Sequence, residues 1–445
     1  MSKANYFLFI SCLFFLVIKI IAIRFTNFDL FGDEAQYWLW SQNLDFGYYS
    51  KPPLLSWIIA VVCSIFGNSI FVIKMIPVFF YCLTSYVIFL LSKKLFDNNE
   101  FSFLTALTFF LMPAVTFSSF LVSTDIVLIF FWSLSMLQIL IIKERPDKFN
   151  FILLGMFVGL AFLAKYAAVY FILCAILIAF EKEMKGVYLK QKLSLFYCVL
   201  TFGLVIAPNI IWNLNNEWAT FGHTVDNAAL KRINLNFVEG LKFFVSQIIM
   251  IGPIIFLFFI LGIVKNLNIN FNIRFLLFFS LPIFFIILVE SILVRSNANW
   301  AAVSLISFLI LFAHVVFIIN KKIIFANNIV NLVFGLVFFF LIATNSSYEP
   351  FKKINGISSF AHSLFESNPK YIDKLVIEDR MLFSNLSYIF QNNKIKIYTP
   401  YTPNTKIRHH FQITNKLPAD FNKNFVFIGH IDRLKYLKNK YTINL

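Results

Sequence analysis

Long apolar runs recur along this chain at close to bilayer-crossing length, and they restrict its fold more than any other feature. A helix rises about 1.5 Å per residue, so roughly 20 apolar residues cross the hydrocarbon core, and a backbone in lipid must satisfy its own polar groups. Reading the runs between polar breaks gives about eleven spans: 5–25, 70–91, 101–119, 121–142, 149–164, 166–180, 193–212, 243–264, 275–294, 300–319 and 328–344. Of the 445 residues 59% are hydrophobic and only 13% charged, and the mean hydropathy is +0.78. Soluble domains carry about 25% charged residues. The expected fold is therefore an α-helical polytopic membrane protein with about 11 transmembrane helices. No small-residue cleavage site follows the run Tyr6 to Ile23, so it is expected to be a retained helix rather than a signal peptide.

The formal net charge of +16 raises the question of a nucleic-acid or acidic-lipid partner. Its distribution answers it. Lys93 and Lys94, Lys143 with Arg145 and Lys148, Lys182 with Lys185, Lys190 and Lys192, Lys265 with Arg274, and Lys321 with Lys322 fall in alternate short loops. The positive-inside rule makes those loops cytoplasmic, which puts the amino terminus inside and, with an odd number of spans, the carboxyl terminus outside. Charge here encodes topology, and no nucleic-acid partner is expected. Cys12, Cys63, Cys82, Cys174 and Cys198 lie in or beside apolar segments, so neither a disulfide framework nor a metal-spaced cluster is implied.

Two outer segments are long, 26–69 and 213–242. Within the first, Leu54 to Phe66 is too short to cross; following Pro52-Pro53 and carrying Trp57, it reads as a helix lying in the interface. The pair of runs flanking Lys165 is also short. From residue 345 the composition turns polar and basic. There KLVIED, KIKIYTP and NFVFIGH read as short buried strands, with FSNLSYIF as a helix between the first two. The domain division expected is 1–344 in the membrane and 345–445 as a small outer α/β domain. No internal repeat is visible, which counts against a transporter built from duplicated halves.

Polar chemistry is concentrated at the outer loops. Asp33-Glu34 can be read as capping an outer helix, Glu34 to Asn43, because acids suit a helix amino terminus. It can equally be read as a reacting carboxylate beside an orienting one, since adjacent helix residues point about 100° apart. Lys51, ahead of Pro52-Pro53, is either a snorkelling lysine or an anion site on the same loop. Asp125 stands at the outer start of a span, where Ser123 or Thr124 could cap and where an acid is costly. Lys165 and Tyr166 mark another outer turn, and Arg295, Asn299 and Trp300 a third. His223 reads as a surface or packing histidine, and His409-His410 as structural. Lys19 and Glu290 are expected close enough to the outer membrane edge to snorkel or pair, and Lys74 lies within or near a span. Trp38, Trp40 and Trp57 are expected to hold the first loop at the interface.

DEAQYWLWSQNLDFGYYSKPPLLSW, STDIVLIFFW, GLAFLAKYA, APNIIWNLNNEW and NANWAA, in this order and topology, resemble the C-type glycosyltransferases that use polyprenyl-phosphate sugars. More narrowly they resemble the bacterial branch related to protein O-mannosyltransferases and the lipid A aminoarabinose transferase. EDRMLFSNLSYIF in the tail is similar to a segment of that family's outer domain. The resemblance implies an inverting transfer from a polyprenyl-phosphate donor to a hydroxyl of a glycolipid, glycan or protein, at the periplasmic face of a bacterial inner membrane. It implies Asp33 as the essential carboxylate, Asp125 as the second acid, and Glu34 beside them. Lys51, Lys165 and Arg295 would hold the donor phosphate, and Tyr37, Tyr166, Asn299 and Trp300 would contact substrate. Some relatives place a divalent metal among the acids, for which Asp33 and Asp125 are the candidates here. Many bacterial relatives have histidine at the position of Lys51 and proline at that of Ala301. The rival class is a transporter or flippase of lipid-linked sugars, which predicts broken helices with charges near the midplane.

Overall fold

The computed structural model describes residues 3–228, 234–266, 268–348, 351–367, 374–393, 395–401, 407–418, 421 and 425–430. Among the described residues six helices are long and apolar enough to cross a membrane, at Asn5–Phe25, Ile70–Phe96, Thr124–Glu144, Lys192–Asn215, Phe271–Leu293 and Ser304–Ala343. A bent pair, Phe237–Ile251 and Pro253–Gly262, makes a seventh if taken as one span. Local chemistry sets the boundaries. Ser69, Asn98 and Asp147 each accept a backbone N–H of the helix they open, which satisfies donors that have no partner inside the helix.

Breaks also have causes. Pro113 separates Asn99–Leu111 from Pro113–Ser118. Gly252, at φ 123°, turns the chain by 99° into Pro253. Asn320 leaves helical geometry inside Ser304–Ala343 and divides it into two arms, beside cytoplasm-type lysines of which Lys321 pairs with Glu100. Val199 and Leu204, on Lys192–Asn215, are 62% and 65% exposed, as lipid-facing residues should be.

Lys19 departs from the expectation of a snorkelling lysine. It is fully buried, its Nζ has no hydrogen-bond partner among the described residues, and it lies 4.5 Å from the ring centres of both Phe15 and Phe110. Cation–π attraction replaces a headgroup contact there.

Beyond the membrane segment three short parallel strands form a sheet: β1 (Lys374–Ile377), β2 (Lys396–Tyr398) and β3 (Val426–Ile428), in the order β2-β1-β3. Val376 of the central strand pairs with Tyr398 on one side and Phe427 on the other. Leu375, Val376 and Ile377 are buried, the continuous apolar run of a strand covered on both faces.

The outer segment is fastened to the membrane segment along the first loop. Asp29 accepts the N–H groups of Ile357 (2.8 Å) and Ser358 (3.1 Å), capping the helix Ile357–Ser367 from a distant part of the chain. Phe28 stacks on Phe351 at 5.2 Å. The helix Arg380–Ile389 packs against Gly32–Ser41, where a Cβ on Gly32 would lie 2.5 Å from Met381 Cβ; only glycine permits that approach. Trp38 and Trp40 are 3% and 2% exposed, so they pack inside the protein rather than at the lipid interface. Trp38 meets Tyr388 edge-on at 4.8 Å, and Tyr388 donates to the Asn68 carbonyl at 2.7 Å.

Glu34 ties this assembly together. Its carboxylate takes Lys74 Nζ at 2.8 and 3.1 Å, the N–H of Phe31 at 2.7 Å and that of Val122 at 2.7 Å, with both side chains essentially inaccessible to solvent. Removing one member of a buried pair strands the other charge, at about 3–5 kcal/mol, whereas replacing both is often neutral. Glu34→Gln or Lys74→Met alone should markedly lower the melting temperature in detergent, and the double variant should recover most of the loss. Equal melting of the singles and the parent would exclude this role.

Candidate functional site

Asp33 is the second residue of Gly32–Ser41, one position past the first turn's start. Phe31, not Gly32-Asp33, is the N-cap, and Glu34 reaches back to its N–H, so Asp33 is spared capping. Its Oδ1 accepts from Arg380 Nη1 at 3.0 Å, and the same Nη1 donates to Gln36 Oε1 at 2.8 Å. Asp33 Oδ2 has no hydrogen-bond donor among the described residues, and the side chain is 39% exposed.

Asp125 is more enclosed. In the first turn of Thr124–Glu144, it takes Lys165 Nζ on Oδ1 at 2.7 Å and Asn299 Nδ2 on Oδ2 at 2.7 Å. Three separate outer turns therefore meet at one carboxylate. Lys165 is available because the chain leaves helix there: it is extended (φ −160°, ψ 134°) between Lys148–Ala164 and a short 3-10 turn.

Lys51 closes the far side of the first loop, where Tyr48 N donates to its carbonyl at 3.2 Å. It is half-buried and makes no ion pair among the described residues. Burial pushes its ammonium pKa down, with the positive charge of Lys165 next; Asp125 and Asp33 act in the opposite sense and Arg380 adds to the depression. These five groups therefore share one electrostatic field, three cations with two carboxylates. Tyr37 is buried in the same field, and its phenol is held well above the ordinary value by burial first and then by Asp33 and Asp125. It stays neutral.

The other expected contacts stand apart in role. Tyr166 is bound at its hydroxyl by Asn209 (2.8 Å) and Asn213 (3.1 Å), and its ring stacks on Phe221 at 4.5 Å. Trp300 is partly buried in the core. Arg295 is exposed and makes no ion pair among the described residues. His223 packs on Tyr49. Sequence reasoning missed Arg380 altogether, although its motif EDRMLFSNLSYIF had been singled out; an arginine directly after the helix-capping Asp379 was the available signal.

The loop itself is stitched to Lys192–Asn215. Trp212 Nε1 donates to Asp45 at 2.6 Å, Asn209 to the Phe46 carbonyl at 2.7 Å, and Thr220 to the Tyr48 carbonyl at 2.7 Å. A Cβ on Gly47 would lie 2.4 Å from the Trp212 ring. Tyr48 stacks flat on Trp40 at 4.5 Å, with His410 edge-on to both.

A divalent cation does not fit this set. Asp33 and Asp125 are already answered by Arg380 and Lys165, and among the described residues no group of three His, Cys, Asp or Glu side chains converges on a point. Hard cations want six or more oxygens.

The chain is similar to known proteins in both sequence and fold. Residues 50–212 match the family model described as dolichyl-phosphate-mannose-protein mannosyltransferase. The chain is 27% identical over 420 residues to the lipid A galacturonosyltransferase RgtD of Rhizobium johnstonii, covering 92% of this chain and 88% of that one. Its fold is similar to that of ArnT from Cupriavidus metallidurans, at 12% identity: TM-score 0.65 for the apo crystal structure, covering 90% of this chain and 87% of that one. The undecaprenyl phosphate complex gives TM-score 0.67, at 12% identity, with 89% and 86% covered. The chain is thus similar in sequence to a lipid A-modifying glycosyltransferase and, over residues 50–212, to the mannosyltransferase family model, and its fold is similar to that of ArnT.

The tail's grip on the loop is proton-sensitive. Burial pushes the imidazoles of His409 and His410 down to about 4, helped by Arg380 for the first and by His409 for the second. Released rings bind protons near 6.5, so from about 6.5 down to 4 the undocked state takes up more protons. Stability from these rings is full above pH 6.5 and is lost as the pH falls through 4. Limited proteolysis of the tail should accelerate over that window, and His410→Gln should flatten the dependence. A parent profile level from pH 7.5 to 4 would contradict it.

Proposed function

We propose that the protein transfers a sugar from a polyprenyl-phosphate donor to a hydroxyl of a cell-envelope glycolipid, inverting the anomeric carbon. The observation that carries this is a pair of carboxylates each held by a cation from a distant segment, Asp33 by Arg380 through Oδ1 alone and Asp125 by Lys165 together with Asn299, with Lys51 on the same loop as Asp33. Lys51 and Lys165 hold the donor phosphate. Asp33 Oδ2 takes the proton of the acceptor hydroxyl as its oxygen bonds to C1, and the C1–O bond breaks with its electron pair leaving on the phosphate.

Asp125 has both oxygens engaged and positions Lys165 and Asn299. Glu34, buried and answered by three donors, fixes the loop and takes no part in proton transfer. Arg295 stands outside the clamp. The similarity to RgtD, a lipid A galacturonosyltransferase, makes an acidic sugar the first donor to try and lipid A the first acceptor.

We also propose eleven crossings, adding Asn99–Ser118, Lys148–Ala164, Tyr166–Ala179 and the second arm of Ser304–Ala343 to the longer helices and the bent pair. The amino terminus is then cytoplasmic and the domain 345–445 periplasmic, in a bacterial inner membrane. The flippase alternative wants charges at the helix break, but Gly252 faces the uncharged Asn327 and Asn331.

In membranes given a polyprenyl-phosphate sugar, Asp33→Asn should lower transfer by about 10²–10⁴-fold, the share of a general base, with melting temperature retained. Undiminished transfer would sink the assignment. Lys51→Ala should raise the apparent donor KM by about tenfold, some 1.4 kcal/mol, with kcat less affected; an unchanged KM would remove Lys51 from the phosphate site.

A further inference from the structure

Arg380 brings more hydrogen-bonding capacity to the site than the protein uses. A guanidinium has five N–H donors in a planar fork. Both recorded bonds, to Asp33 Oδ1 at 3.0 Å and Gln36 Oε1 at 2.8 Å, come from Nη1. The Nε–Nη2 edge has no partner among the described residues, and the side chain is about a third exposed (35%), so this edge is open. That edge is the one that meets a carboxylate with two parallel hydrogen bonds.

The arginine is also held in place from behind. Asp379 caps the helix by accepting from Met381 N (3.0 Å) and Leu382 N (2.8 Å). Met381 sits against Gly32, and Tyr388, two turns on, is fixed by Trp38 and Asn68. A guanidinium so anchored is pre-organised, and little entropy remains to be lost on binding a ligand.

The shape of the open edge supplies the second argument. A carboxylate takes both of its N–H donors in parallel, which a single neutral hydroxyl cannot do.

We propose that Arg380 is a specificity-determining residue that reads the carboxylate of a uronic-acid donor sugar on its Nε–Nη2 edge, while its Nη1 keeps Asp33 aligned. The inference rests on the transfer reaction proposed above. Arg380 thereby couples recognition of the sugar to the placement of the base: a uronate bound on one edge lies in register with the carboxylate held on the other. Lysine at this position keeps the charge toward Asp33 but lacks the planar fork. A purely structural pin between the outer segment and the first loop would tolerate lysine and would be blind to the donor.

The test uses the full-length protein in detergent or nanodiscs. The parent, Arg380→Gln and Arg380→Lys are each assayed with polyprenyl-phosphate galacturonic acid and polyprenyl-phosphate galactose on the same acceptor. The parent should favour the uronate in kcat/KM by about 10–100-fold, the scale of a hydrogen-bonded charge pair, and both variants should lose most of that ratio. Arg380→Lys should melt close to the parent. Calorimetry with galacturonic acid 1-phosphate and galactose 1-phosphate reads the same preference without turnover: the parent should bind the uronate more tightly, and Arg380→Gln should bind the two alike. Equal binding of the two by the parent, binding of neither, or a donor ratio that survives Arg380→Gln would overturn the inference. So would a loss in Arg380→Gln that depends on removing phosphate from the acceptor, since Arg380 would then serve the acceptor. Retained discrimination in calorimetry with no transfer from either donor would instead sink the transferase reading and leave Arg380 as a uronate reader.

Discussion

The architecture depends on a buried ion pair. A carboxylate in a low-dielectric interior is tolerable only when its lone pairs are answered, and Glu34 answers them with Lys74 Nζ and the N–H groups of Phe31 and Val122. The three partners come from the start of the first loop's helix, from the span Ile70–Phe96 and from the turn before Thr124–Glu144. Asp33 is Glu34's neighbour, and Asp125 lies three residues beyond Val122. Asp33 and Asp125 therefore share one frame, set by the buried Glu34. The adjacency of Asp33 and Glu34 divides the work: helix geometry sends one side chain into the protein and leaves the other at the surface.

The outer segment completes what the membrane segment begins. Arg380 reaches Asp33 only because Arg380–Ile389 lies on Gly32–Ser41 at glycine-limited distance. Aromatic contacts keep it there: Trp38 on Tyr388, Phe28 on Phe351, His410 against Trp40 and Tyr48. On the opposite flank, Trp212, Asn209 and Thr220 hold the loop through its own carbonyls and Asp45. Loops are ordinarily the mobile parts of a fold. This one is pinned on both sides, which fits groups that must meet a lipid phosphate and an acceptor hydroxyl with fixed geometry.

Much of this was legible in the sequence, for physical reasons. Hydropathy located the long apolar helices because bilayer thickness fixes their length, and the motifs STDI, LAKYA and NANW marked the three turns that meet at Asp125. What was not legible is pairing between distant segments. Nothing local says that Asp125 will take Lys165 and Asn299, that Lys74 will be buried under Glu34, or that Trp38 and Trp40 will face a domain rather than lipid. An amphipathic aromatic suits either surface, and only tertiary contact decides between them. Lys19 shows the same limit: one turn from a membrane edge, a lysine can snorkel, yet three phenylalanines from three helices enclose it. The break at Asn320 was foreseen by its polar surroundings, whereas the right-angled turn at Gly252 needed the fold.

Electrostatics explains why the site uses side-chain cations. Each acid has its own basic partner, Arg380 for Asp33 and Lys165 for Asp125, so neither carries an unanswered charge into a half-buried cleft. Lys51 is then left over, and burial together with its cationic neighbour makes its protonated form costly. An incoming phosphate relieves that cost, because it gives Lys51 the counter-charge that the protein withholds. The same logic would order the proposed reaction. The phosphate ester would enter beside Lys51, charge would accumulate on the leaving oxygen as the C1–O bond breaks, and Asp33, tethered by one oxygen, would gain its proton at that stage. Asp125, bound at both oxygens, has neither left to direct at a substrate hydroxyl, and an acid bound at neither would lack direction.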